Sequence, residues 1–168
     1  GRDAAEADLA FPGGRAEMIA AYFELGDERM IRARHGQGAE GGMTARVRAA
    51  VAARLELMAG EKEAVRRAMA WLVLPVNAPR LAKIVARMAD AVWFAAGDKS
   101  ADMSWYSKRA ILAAVLSATL LYWLSDSSMD SENTLAFLDR RLAGVGRFGK
   151  LKARPVSYTH LTLPTKRI

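Results

Sequence analysis

The chain has 168 residues, with 25 Lys and Arg against 18 Asp and Glu, two His and no Cys, for a formal net charge of +7. That length and a hydrophobic share of 52% suit one domain with a buried core and exclude a disordered tail. The missing cysteines remove disulfide frameworks, Cys-ligated zinc or iron–sulfur sites and thiol nucleophiles, and His35 and His160 lie too far apart to form a helical metal-binding pair.

Gly1-Arg2-Asp3 opens the chain without an apolar signal region or an Arg/Ser transit pattern, which reads as a fragment lacking its natural start. After Phe11-Pro12-Gly13-Gly14 the spacing predicts a first helix to about Arg34, with Met18, Ile19, Tyr22, Phe23 and Met30 on one face. A glycine-rich stretch, Gly36 to Gly42, separates it from a second helix over about Thr44 to Ala59. There Val47, Val51, Leu55 and Met58 form the inward stripe, and Arg46, Arg48 and Arg54 lie off it.

A third, shorter helix turns Val65, Ala68, Met69 and Leu72 inward and stops before Pro75, which lacks a backbone donor. In the turn Leu74-Pro75-Val76-Asn77-Ala78-Pro79, Asn77 is expected to accept from the free N–H groups of the next helix, and Pro79 suits that helix's first turn. This fourth helix, about Ala78 to Ala96, aligns Leu81, Ile84, Val85, Met88 and Val92 and closes at Gly97 in a left-handed cap.

After an acidic loop, a fifth helix starts near Trp105. Its stretch Ala110–Leu124 carries no formal charge over 15 residues, and is expected to be buried on most sides. At 1.5 Å per residue it covers about 22 Å against a hydrocarbon core of about 30 Å, so a core or dimer-interface helix is the better reading than a membrane span. The sixth helix, about Asp130 to Val145, places acids at its start and Arg140 and Arg141 near its end, with Leu135, Leu138, Leu142 and Val145 inward. No convincing strand occurs before residue 147.

Val156 to Thr165 alternates polar and apolar residues and resembles the translation of a transposon-derived sequencing adapter, a non-native tail; the alternative is a natural exposed β-tail. His160, Lys166 and Arg167 therefore carry no functional weight. Without Pro155–Ile168 the net charge is +5, and the arginines are scattered over helix faces, so solvated surface is the default reading and nucleic acid is not expected as a partner.

Gly144-Val145-Gly146-Arg147-Phe148-Gly149 fits GxGxxG, yet it trails a helix instead of following a strand, so a dinucleotide site is rejected and the glycines are expected to uncoil the helix end. Neither GxxxxGK[ST], GxSxG nor HExxH is present. Trp71, Trp93, Trp105 and Trp123, with Met69, Met88 and Met103 among them, make a core stripe that also suits an apolar pocket or partner surface. In Asp102-Met103-Ser104-Trp105-Tyr106, two aromatics at a helix start are either binding anchors or a hydrophobic staple with Asp102 or Ser104 as N-cap.

Leu74-Pro75-Val76-Asn77-Ala78-Pro79, Trp93 to Asp98 as WFAAGD, Asp102 to Arg109 as DMSWYSKR, and Asp126-Ser127-Ser128 resemble the Coq9 family of ubiquinone-biosynthesis proteins in order and spacing, over about Phe11 to Gly149. The resemblance implies an all-α, TetR-like helical bundle, a homodimer through the last two large helices, with its N-terminal helix-turn-helix part largely missing. Residues 1–13 would be the remnant of that part, 14–153 the lipid-binding domain and 154–168 the non-native tail, which replaces the family's amphipathic membrane-contact helix.

It further implies a protein without catalytic activity or cofactor that binds a polyprenyl quinone intermediate or other isoprenoid lipid and presents it to the di-iron hydroxylase of ubiquinone biosynthesis. That enzyme would dock at Asp102, Trp105 and Tyr106, with Trp93 nearby. The inward stripes then nominate Met69, Leu72, Leu81, Val85, Met88, Leu112, Val115 and Leu116 as lipid-binding residues. The implied location is peripheral to the inner membrane: cytoplasmic in a bacterium, on the matrix side in a mitochondrion. The rival reading is the ligand-binding domain of a TetR-like transcription regulator.

Overall fold

A computed structural model describes residues 6, 9–36, 41–98 and 104–152, and the side chains among them except those of 104, 105 and 145–152. Its principal elements are α1 (Gly14–Arg34), α2 (Met43–Met58), α3 (Lys62–Leu72), α4 (Ala78–Ala95), α5 (Ser104–Ser125) and α6 (Glu132–Lys152). Short 3-10 turns over Ala59–Glu61, Pro75–Asn77 and Met129–Ser131 join them, and no strand occurs among the described residues. The predicted all-α class is therefore observed.

Helix α4 is central, packing against α1, α2, α3 and α5, while α6 closes the bundle against α5 and α2. Small and branched side chains permit that approach: Ala89 and Val92 on α4 and Ala50 on α2 are completely buried. Around them Phe23, Met30, Val47, Val51, Leu55, Met58, Val65 and Leu72 fill one contiguous core with Leu112, Leu116, Trp123 and Leu138. The inward stripes of α2 and α3 match expectation, but Met18 on α1 is 41% exposed.

Gly97 takes φ +75°, and Gly97 and Asp98 donate their N–H groups to the carbonyls of Phe94 and Trp93, the expected left-handed cap. Asn77 departs from its expected role. Its side chain makes no cap bond; instead Nδ2 donates to the Trp71 carbonyl at 2.8 Å, and Oδ1 accepts from Arg80. Buried at the α3–α4 turn, the amide ties the incoming chain to the outgoing helix, which satisfies both its ends where water cannot reach.

Two further corrections concern α5 and α6. Helix α5 buries Leu112, Val115, Leu116, Thr119, Leu120, Trp123 and Leu124, but Tyr106, Ile111, Leu121 and Tyr122 remain on an open face. The span Tyr106–Ser125 has the length and mean hydropathy of a membrane-crossing helix, although its inner face is packed in the bundle. Helix α6 begins at Glu132, within two residues of expectation, but does not uncoil at Gly144, Gly146 and Gly149: it continues to Lys152. Isolated glycines cost a helix about 1 kcal/mol each without obliging it to end.

The start of α6 is held from a distance. Asp126 accepts hydrogen bonds from the Thr134 N–H (2.8 Å) and hydroxyl (2.6 Å) and from the Ser128 N–H (2.9 Å). Partial burial alone would push this carboxyl up, but those donors outweigh it and hold the group well below the usual carboxylate range. Lys62 and Arg66 of α3 meanwhile donate to the Asp126 and Leu124 carbonyls at the end of α5. Replacing Asp126 with Ala should cost about 1–2 kcal/mol, as loss of a helix cap does, and is read as a lower urea midpoint with an unchanged m-value.

Candidate functional site

Arginine 54 is the side chain whose placement departs most from its residue type. The sequence puts it off the inward stripe of α2, yet it is 1% exposed. Position 54 follows Val47 by two helical turns, so geometry places it on the stripe and only its charge argued otherwise. Its Nη1 stands 2.8 Å from Asp27 Oδ1, its Nη2 donates to the Phe23 carbonyl at 3.1 Å, and its guanidinium lies over the Phe23 ring at 6.0 Å. Gly26 makes room for it: a Cβ there would fall 2.8 Å from Arg54 Nη1.

Burial dominates the electrostatics of this pair. It lowers the affinity of Arg54 for its proton, which the Asp27 charge opposes. It also pushes Asp27 up to about 6, against the pull of Arg54 and then of Arg87. The folded state therefore holds a proton on Asp27 more tightly than the unfolded chain does. Its contribution to stability is complete below about pH 4 and is lost as pH rises through about 6. Urea titrations across this window should show Asp27→Asn gaining on the wild type as pH increases, with the difference levelling off above pH 7.

Beside the pair lies a small, partly open void of about 10 Å³, lined by Val51, Arg54, Leu55, Met58, Met88, Leu116, Thr119 and Leu120. Of the eight nominated lipid-binding residues, Met88 and Leu116 line it. Met69, Leu72, Leu112 and Val115 are buried in the general core, and Leu81 and Val85 are half-buried on α4. The nominated residues thus pack mainly against the bundle's own side chains, and the void beside Met88 and Leu116 is far smaller than an isoprenoid chain. A more open groove of about 500 Å³, lined by Arg48, Met129, Asp130, Glu132, Leu135, Ala136 and Asp139, lies between α2 and α6 and includes none of the nominated residues.

The nominated partner edge is the end of the α4–α5 hairpin. Tyr106 is 75% exposed, and Trp93 is half-buried, its Nε1 buried and without a hydrogen-bond partner among the described residues. Asp102 lies outside the described residues, and Trp105 stands in the first turn of α5 with its side chain outside the description. The structure adds Phe94, 69% exposed at the end of α4, a residue the sequence reading passed over although it sits next to Trp93 in the WFAAGD motif. Surface arginines pair along and between helices, as Arg32 does with Glu28 and Arg48 with Asp139. Among the described residues no three acidic or histidine side chains converge as a metal-ligand set.

The described residues form an all-helical bundle with an apolar core and an aromatic edge, and comparison with known proteins adds the relatives of this chain. The COQ9 family model matches residues 78–149, from the start of α4 into α6. The chain is 41% identical over 97 residues to the ubiquinone biosynthesis protein COQ9, mitochondrial, of Xenopus tropicalis, covering 58% of this chain and 31% of that protein. It is 41% identical over 96 residues to the Homo sapiens protein of the same name, covering 57% and 30%. The probable ubiquinone biosynthesis protein coq9 of Dictyostelium discoideum is 35% identical over 98 residues, covering 58% and 32%. Over residues 78–149 the chain is similar to the COQ9 family. It spans about a third of the length of these curated relatives.

Proposed function

We propose that this chain is the TetR-like helical body of a ubiquinone-biosynthesis accessory protein, which binds a polyprenyl quinone intermediate and presents it to the di-iron hydroxylase without catalysing a reaction itself. The observation that carries the reading is the match of α4, α5 and the intervening aromatic motifs to relatives named for ubiquinone biosynthesis. The relatives' names also support the mitochondrial alternative for location; the matrix side of the inner membrane is part of the proposal. Residues 14–153 are the lipid-binding domain in this reading, and 154–168 a tail foreign to it.

The small size of the interior void sets a physical condition on the proposal. Each CH₂ group moved from water into the core is worth about 0.8 kcal/mol, so a few isoprene units supply the energy to part the bundle. The seam between α2, α4 and α5 suits that opening because Met58 and Met88, unbranched and polarizable, re-pack around a guest at low cost. The open face of α5, with Ile111, Leu121 and Tyr122, the last stacked on Phe137 of α6 at 4.6 Å, is the surface through which two copies would pair.

Two measurements test the reading. Native mass spectrometry of the purified protein should detect co-extracted isoprenoid lipid; a lipid-free protein that also takes up none from vesicles overturns it. Replacing Trp105 and Tyr106 with Ala should lower capture of the hydroxylase about tenfold or more while leaving helical circular dichroism unchanged, as removal of aromatic hot spots does. Unaltered capture removes the docking edge.

A further inference from the structure

The Arg54 guanidinium is incompletely satisfied. An arginine carries five N–H donors. Nη2 donates to the Phe23 carbonyl, whereas Nε and Nη1 are both buried without a hydrogen-bond partner among the described residues; Nη1 is ion-paired at 2.8 Å with Asp27 Oδ1, and Nε has no such counter-charge. The same side chain lines the void with Met58, Met88, Leu116, Thr119 and Leu120. The Thr119 hydroxyl donates to the Val115 carbonyl one turn back and, although its oxygen could still accept, does not take the Arg54 Nε–H. The walls of the void are otherwise apolar.

The chemistry of what would complete this site follows from charge and size. Asp27 already neutralises Arg54, and a second anion would sit close to the Asp27 carboxylate in a medium where like charges repel strongly. A neutral acceptor oxygen meets neither objection, and the void of about 10 Å³ is the size of one such atom. The surrounding methionine and leucine side chains then suit the carbon skeleton that carries it.

We infer that Arg54 is the polar anchor of the lipid site. Its Nε–H donates to a neutral carbonyl, phenol or ether oxygen of an otherwise apolar ligand, admitted as Met58 and Met88 move aside. This rests on the lipid-presenting reading above and assigns the head-group end of the guest, which the apolar stripes leave undetermined. Asp27 and Gly26 are positioning residues: one fixes the guanidinium by charge, and the other lets α1 approach it.

The test is selectivity. A benzoquinone bearing a decyl chain and decylbenzene, which has the same tail and no oxygen, are each titrated against a bound fluorescent alkyl probe. The wild-type chain should prefer the quinone about tenfold, the worth of one hydrogen bond to a buried charged donor. Arg54→Lys keeps a cation opposite Asp27 but has no Nε–H, and should lose most of that preference while still binding decylbenzene. Should Arg54→Lys fail to fold, the paired change Asp27→Asn with Arg54→Met removes both charges together and should show the same loss. A quinone preference that survives either variant overturns the anchor and leaves the carrier reading standing; failure of the wild type to bind both probes overturns the carrier reading itself.

Discussion

The cost of burying one guanidinium shapes the first half of this bundle. A charge taken from water into a protein interior requires a counter-charge and hydrogen bonds in good geometry, or the group forces its surroundings apart. Helix α1 supplies an acid at Asp27, a carbonyl at Phe23 and a gap at Gly26, all within one turn and a half. That requirement fixes the rotation of α1 against α2. Both helices in turn pack on α4, so the pair also orients the face against which α5 and the rest of the core assemble. A bundle held by apolar stripes alone could slide by a residue or rotate by some degrees with little change in energy; one containing a buried ion pair has far fewer acceptable arrangements.

Much of the architecture was legible in the sequence because helical periodicity is strong and its punctuation is chemical. Pro75, Pro79 and Gly97 act through backbone geometry that no tertiary contact can override, and the α3, α4 boundaries they imply are observed within about two residues. Where partners decide, the sequence was silent. Asn77 had the right residue type for a cap but found Trp71 and Arg80 first. Arg54 occupied an inward position by spacing, and only a residue 27 positions earlier in the chain, Asp27, makes that tolerable. The glycines of α6 were expected to end it, although a helix continues through a weak residue when nothing better competes.

The candidate site divides in the same way. Met88 and Leu116 were chosen from stripes and do border the interior void, because a stripe identifies depth. A stripe cannot distinguish a wall from filler, which is why Met69, Leu72, Leu112 and Val115 lie elsewhere in the core. Tyr106 was singled out by its place in a motif and is exposed, whereas Phe94 has the same character and escaped attention inside a run of apolar letters. The COQ9 match begins at residue 78, so Arg54 and Asp27 lie outside it.

The link between α5 and α6 has a consequence for mechanics. Asp130 and Ser131 both adopt left-handed backbone angles, with φ of 51° and 57°, a conformation that costs residues bearing a Cβ about 1 kcal/mol or more. Two such residues in succession behave like a cocked joint. The Asp126 hydrogen bonds to Thr134 and Ser128 span this joint and hold it closed. The clasp therefore offsets part of the backbone cost at Asp130 and Ser131, and its loss would weaken the seating of the start of α6 on the end of α5.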